Sequence, residues 1–389
     1  MSTPSFSILL RREWKQLLTD PWLCSLITWV PVVLAVMLWS VFAGGIARDL
    51  PIGVVDLDNS QVSRSITRNF DSSPALEIVK NYPDIAKGSR ALRAGYIYGL
   101  VVLPQNLEKD TVLGRAPEVT AFVNSQFLLI GKTINSALLQ TLSTFSAKVE
   151  VKRNLSTGQS VLSSALSSAI PIGTKVTPLF NLNNNYAQFL ISAILPAVWQ
   201  ILMVAITILS FASELRRNGL QAWLSVGPIR AMIVKIIPLI TVFWIHGMLF
   251  LWGMYIALGW PMHGAWSVLV VALFLTSSAS VAVSSLIFLL TRDATRALSL
   301  AASYAAPGLA FMGVTFPVSD MTLPARIWRS LIPVSHYIEI QFSQVNYGAS
   351  LMSVLPQFRA LALFAILFFV AGAIVKVMAG RKQVAGDSV

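Results

Sequence analysis

The chain has 389 residues, 55% of them hydrophobic and only 12% charged, where an ordinary soluble domain carries about 25% charged residues; a wholly soluble protein is excluded. The net charge of +12 does not make it a nucleic-acid binder, because the basic residues mark the ends of apolar segments and do not gather on one face or helix. With Cys24 as its one cysteine, the chain has neither a disulfide framework nor a cysteine-based metal cluster.

Residues 5–19 set Phe6, Leu9, Leu10, Trp14, Leu17 and Leu18 among Arg11, Arg12 and Lys15 at helical spacing, which predicts an interfacial helix over residues 1–21. Trp22 to Phe42 is an apolar run of the length a bilayer needs, about 20 residues. It exceeds the core of a signal peptide and reads as an uncleaved anchor, while the small residues Ala43, Gly44 and Gly45 keep a cleavage reading open. The first transmembrane helix is assigned to residues 22–46.

Residues 47–185 hold ten of the seventeen acids and fourteen of the twenty-nine basic residues, so one soluble unit sits inside a membrane unit. Its pattern predicts strands at 52–56, 76–80, 97–103 and 119–124. Helices are predicted up to Phe70 from a cap at Asn59 or Ser60, then over 83–94, 107–113 and 128–155. The Gly, Ser and Thr-rich stretch 156–168 reads as a hinge.

Further spans are predicted at about 186–211, 232–258, 268–290, 298–316 and 358–378, six in all. Arg216, Arg217, Arg230, Arg292, Arg296, Lys376, Arg381 and Lys382 flank one side, and the loop from Gly259 to Trp266 carries no Lys or Arg. This asymmetry places both termini in the cytoplasm and residues 47–185 outside. Residues 317–356 are too polar to span; Arg326 to Tyr337, with Trp328, Leu331, Ile332 and Pro333, predict a short helix re-entering from the outer surface. The expected fold is an α-helical polytopic membrane protein with an inserted α/β extracytoplasmic domain.

Gly131, Lys132 and Thr133 spell the end of a phosphate-binding loop, but the motif needs a Gly where Gln126 stands, so ATP hydrolysis belongs to another chain. His246 has no Asp or Glu at helical spacing and predicts a helix–helix hydrogen bond rather than a proton relay. His336 and Glu339 read as a polar rim on the re-entrant segment. Gly-x-Ser-x-Gly and His-Glu-x-x-His patterns are absent, and no catalytic, cofactor or metal residue is assigned. Trp260 and Trp266 suit headgroup anchoring; Trp199 and Trp244 lie deeper and, with His246, are the candidates for a substrate path.

The order of these segments resembles the ABC-2-type permeases, in the branch linked to drug efflux with a large external domain between the first two spans. The resemblance rests on IGVVDLDNSQVSRSI at the start of the domain, on AGYIYGLVVLPQNLEKDTVLGRAPEV, and on LFNLNNNYAQFLISAILPAVW entering the second span. SELRRNGLQAWLSVGPIRAMIVKIIP, residues 213–238, resembles the segment that contacts the ATPase, with Glu214, Gly219 and Pro228 fitting and Leu220 standing where Thr is common. YAAPGLAFMGVTFPVSDMTLPARIWRSLIPVSHYIE is similar to the fifth span and its external re-entrant helices. The resemblance implies an exporter permease with no enzyme activity of its own, paired with a second permease subunit, identical or a close paralogue. It also implies a cytoplasmic ATP-binding-cassette ATPase that carries ATP and Mg, and a periplasmic adaptor with an outer-membrane channel. The expected location is the bacterial inner membrane, among membrane lipids. Residues 213–228 are the expected coupling loop, through Glu214, Leu215, Gly219, Leu220, Trp223, Leu224 and Pro228; the apolar face of Leu215, Leu220, Trp223 and Leu224 follows from their spacing. The apolar interior suggests an amphipathic or lipophilic cargo. The rival readings are an ATPase-coupled mechanical or signalling unit that moves nothing across the spans, and a membrane-anchored enzyme or receptor.

Overall fold

The computed structural model describes residues 4–45, 48–113, 115, 117–126, 128–156 and 185–386. Its contacts divide the chain into two compact units, one of Met1–Gly45 with Leu179–Val389 and one of Ile46–Pro178. Apart from Ser156, the expected hinge lies outside the described residues.

The first unit opens with α1 (Phe6–Thr19), which buries Leu9, Glu13, Gln16 and Leu17 along one stripe and exposes Arg11 and Lys15. Asp20 stops it and caps α2 (Pro21–Ile27) by accepting from the Trp22 and Leu23 amides. Helix α3 (Trp29–Phe42) follows at 41° to α2, and the two together have the length and apolarity of a membrane span. The bend has a cause in the sequence. Pro31 lacks the N–H that would bond the Ile27 carbonyl, so the ladder breaks at Thr28.

The second unit is built on β1 (Leu50–Asp56), α4 (Gln61–Asp71), β2 (Leu76–Asn81), α5 (Ile85–Arg93), β3 (Gly99–Leu103), α6 (Leu107–Val112), β4 (Thr120–Val123) and α7 (Leu128–Ser156). The strand order is β2-β1-β3-β4, with β1 parallel to both neighbours and β4 antiparallel to β3. The chain steps from β1 to β2 in one direction and back past β1 to β3 in the other. Right-handed crossovers then put α4 and α5 on opposite faces of the sheet. Side-chain alternation agrees: Ile52, Val54, Val101 and Leu103 pack with Ile66, Phe70, Leu107, Ile134 and Leu138, while Val55, Leu100 and Val102 pack with Ala91 and Ile97. Ser60 and Ser63 form a capping box at the start of α4.

The chain re-enters the first unit at α8 (Tyr186–Leu224), continued by α9 (Pro228–Trp252), which ends in a π turn over Gly253–Ala257, and by α10 (Trp266–Thr291). After α11 (Ala294–Ala305) and α12 (Gly308–Phe311) come α13 (Leu323–Ser330), α14 (Pro333–Val345), α15 (Leu351–Leu363) and α16 (Ala365–Gly386). Among the described residues, four helices are long and apolar enough to cross a membrane: Tyr186–Leu224, Pro228–Ala257, Trp266–Thr291 and Leu351–Gly380; the bent α2–α3 pair makes a fifth candidate. The span expected at 298–316 is divided instead. Helix α11 has 12 residues, about 18 Å at 1.5 Å per residue, short of the roughly 30 Å hydrocarbon core. Pro307 caps the four-residue α12, and Gly313 follows at φ +87°. Residues 317–356 fold as α13 and α14 with the start of α15, and α14 is buried along nearly its whole length.

Candidate functional site

Charge buried among apolar helices needs partners, and the first unit gathers such a set from three elements. Lys235 of α9 is 2% exposed, and Glu13 and Glu214 are 2% and 0% exposed. Lys235 Nζ lies 2.9 Å from Glu13 Oε2 on α1 and 3.3 Å from Glu214 Oε2 on α8. Arg12 closes the set from its half-exposed position, 2.7 Å from Glu13 Oε1 and 3.2 Å from Glu214 Oε1. The Asn218 amide donates to Glu214 at 3.0 Å, and Gln16 donates to the Ser213 hydroxyl at 3.3 Å. Two cations thus face two carboxylates. A second pair, Arg217 with Asp20 at 2.8 Å, ties α8 to the joint between α1 and α2.

This knot falls on the expected coupling segment and changes its reading. Residues 213–224 are not a loop: they continue α8, interrupted at Gly219, whose φ of 72° and ψ of 162° are not helical. Glu214 points at Lys235, and Trp223, 0% exposed, packs edge-on against Phe211 with ring centroids 5.8 Å apart. Both side chains are therefore covered by partners within this unit. Leu224 is also buried, Leu215, Gly219 and Leu220 are half-buried, and Pro228 starts α9 beside Gly227. The surface of the segment is made by Arg216, Arg217, Asn218, Gln221, Ala222 and Ser225.

The expected path residues are placed separately. His246 Nε2 lies 2.9 Å from the Ile27 carbonyl, the acceptor that Pro31 leaves free at the bend, so the ring donates through Nε2 and staples α9 to the first crossing. Trp199 is 1% exposed and meets Tyr337 edge-on at 6.0 Å, while its indole N–H has no hydrogen-bond partner among the described residues. The Trp244 indole donates to the Val270 carbonyl at 3.0 Å. Near the re-entrant helices, Glu339 joins Arg329 and Gln357, and His336 Nδ1 lies 2.6 Å from Gln357 Oε1. The expected polar rim is thus a linked network across α13, α14 and α15.

Sequence reasoning missed Glu13, Lys235, Arg329 and Gln357 as members of these sets. Two signals were present: Glu13 sits on the apolar stripe of α1 between Leu9 and Leu17, and Lys235 interrupts an apolar span. In the second unit, Lys132 is exposed on α7 and Gly131 lies in the first turn of that helix, against Asn124 and Ser125 of the turn after β4; the position that the motif needs as its first Gly is Gln126. At the turn after β1, Asp56 accepts from Asp58, Asn59 and Ser63, and Asp58 accepts from the Glu108 amide at 3.0 Å. Among the described residues no group of three His, Cys, Asp or Glu side chains is set to hold a metal ion.

Comparison with protein families matches residues 21–374 to the family described as ABC-2 family transporter protein. The chain belongs to the ABC-2 transporter family. A comparison with curated proteins found no match. Family membership makes this chain a multi-pass membrane transport subunit that is not itself catalytic, and it implies an ATP-binding-cassette ATPase as partner.

Proposed function

We propose that the protein is the permease subunit of an exporter in the bacterial inner membrane, moving an amphipathic or lipophilic molecule outward on energy from a separate ATPase chain that holds ATP and Mg. The observation that carries this reading, beyond family membership, is the buried knot of Glu13, Glu214 and Lys235. It joins α1, α8 and α9 at the place where the chain turns between two crossings. A push on the exposed face of 216–225 is then shared by three helices at once, with Gly219 as the break about which the short terminal piece swings. Both termini and this turn lie on the cytoplasmic side by the basic-residue asymmetry, and residues 47–185 lie outside as a docking module for an adaptor. The chain crosses six times, the fifth crossing being the broken α11–α12 segment, and it works as a dimer with an identical or paralogous permease.

The test is reconstitution with the partner ATPase in liposomes. Accumulation of a lipophilic dye or lipid-linked product, abolished by a hydrolysis-dead ATPase, supports export. ATPase activity that responds to the permease while no cargo crosses would favour the mechanical unit instead. A cysteine at Ser160 that a membrane-impermeant thiol reagent fails to label in spheroplasts contradicts the topology.

A further inference from the structure

Two hollows lie side by side near the start of α8, at the end of the unit opposite the ion knot. The first is a cleft of about 260 Å³ between α3, α8 and α9, walled by Val36, Trp39, Leu195, Leu249, Met254 and Leu258 among other apolar residues. Val36 is 55% exposed and Leu249 41%, so the cleft opens on the surface that faces lipid in a membrane-spanning unit. The second is a pocket of about 210 Å³ between α8, the π turn and α14. Phe189 and Phe342 give it an apolar wall; Gln188, Ser192, Tyr255, Asn346 and Tyr347 supply its polar groups, and no charged residue lines it.

The two share a rim. Ile191 and Met254 line the cleft, and the next residues in the chain, Ser192 and Tyr255, line the pocket. The rim is held by Gln341 of α14, fully buried, whose Nε2 donates to the Ser192 carbonyl at 3.0 Å and to Tyr255 Oη at 3.2 Å. Because Tyr255 Oη accepts that bond, its own proton is left to donate. Gln341 Oε1 has no hydrogen-bond partner among the described residues. The π turn over Gly253–Ala257 is itself a distortion that is frequent at functional sites.

We propose that this pair of hollows binds one molecule of a neutral, hydroxyl-bearing amphiphile drawn from the bilayer, its chain in the Val36–Leu249 cleft and its head in the Tyr255 pocket. The chemistry follows from the lining. The cleft offers only dispersion and burial of apolar surface. The pocket offers amides and hydroxyls that both donate and accept, matching the hydroxyl and carbonyl oxygens of a glyceride head. An anionic head would enter without a cation to pair it, at a large desolvation cost. The site is a binding site in its own right and does not depend on export.

The test uses the full chain in nanodiscs, without ATPase or nucleotide, and two probes with the same diazirine-bearing chain: a diacylglycerol and a phosphatidic acid. The diacylglycerol is expected to label residues 32–39 and 249–258 about tenfold more than the phosphatidic acid. Val36→Trp, which fills the cleft from an exposed position and leaves the core alone, is expected to cut that labelling about tenfold. Tyr255→Phe, which removes the free donor, should lower it about fivefold, the worth of one hydrogen bond. Equal labelling by the two probes, labelling that survives Val36→Trp, or a cross-link from this face to a second copy in place of lipid would each overturn the proposal.

Discussion

Lys235 stands between two carboxylates that are almost wholly out of water, so its replacement by Met leaves Glu13 and Glu214 facing each other with only Arg12 nearby. Breaking a buried pair in this way typically costs about 3–5 kcal/mol, whereas removing all its charges is far milder. Lys235→Met is therefore expected to lower the unfolding temperature of the purified chain markedly, and Lys235→Met with Glu13→Gln and Glu214→Gln to regain most of the loss. A single variant as stable as wild type would remove the knot from the argument. Asp58 gives a pH-dependent counterpart in the second unit. Burial pushes its carboxyl up, but Ser60 and the amides of Glu108, Asn106 and Leu107 outweigh this and hold it below the usual carboxylate range. A lowered pKa contributes stability above the ordinary carboxylate value, and that contribution is lost as pH falls through the folded one. Asp58→Asn should lower the stability measured by thermal unfolding above about pH 5, where the carboxylate contributes, and flatten the acid limb below it. Much of the knot was legible residue by residue: Glu214 was singled out, and Glu13 and Lys235 were each anomalous for their segment. Their meeting was not legible, because 222 positions separate Glu13 from Lys235 and one sequence carries no pairing information.

At the scale of elements, the sequence signals worked best where caps and turns punctuate short runs. The eight elements of residues 50–156 match their expected positions within a few residues, since polar residues such as Ser60 and Asp84, which cap α4 and α5, mark starts that alternation alone would blur. The fifth crossing is legible only as an apolar stretch, for the opposite reason. Hydropathy averages over Pro307, Gly308 and Gly313, so the stretch reads as one continuous helix although its backbone breaks. In the coupling segment, an amphipathic pattern says which residues share a face but not what covers that face, and Trp223 packs on Phe211 within the same chain. Gly219 is the residue of this segment with a distinct backbone role. Its φ and ψ lie in a region that residues with a Cβ avoid, at a cost of about 1–3 kcal/mol, while a Cβ there would meet no neighbour within 4 Å. Gly219→Ala should then straighten the end of α8 without crowding it. The expected result is normal insertion with permease-stimulated ATPase activity reduced severalfold in proteoliposomes. Full stimulation would mean that the break is not part of coupling.

For the whole molecule, the decisive feature is where the chain leaves the first unit and where it returns. The Gly45 carbonyl accepts a hydrogen bond from the Tyr186 amide, and Phe42 and Tyr186 meet edge-on with ring centroids 5.7 Å apart. Asn185 lies against Gly45 and caps α8 through the Gln188 amide at 3.1 Å. The two cut ends are thus already adjacent and tied within one compact unit, and the second unit keeps its own core of Ile52, Val54, Phe70, Val101 and Leu103. Closing so short a gap adds little loop entropy. Replacing residues 46–184 by two glycines should therefore yield a chain that inserts and stays monodisperse in detergent. Its unfolding temperature should be close to that of the full protein's membrane unit, because no residue of the ion knot or of the α8–α10 core is removed. Association with the partner ATPase is expected to persist, as the exposed face of 216–225 is untouched. If residues 46–178 serve as the docking module for an extracytoplasmic adaptor, copurification of that adaptor and export should both be lost. The measurements are size-exclusion profile, thermal unfolding, ATPase pull-down and liposome transport on the same preparation. A well-inserted deletion that exports at the wild-type rate would show that the second unit is dispensable for transport, and one that loses the ATPase would show that the two functions are not divided between the units.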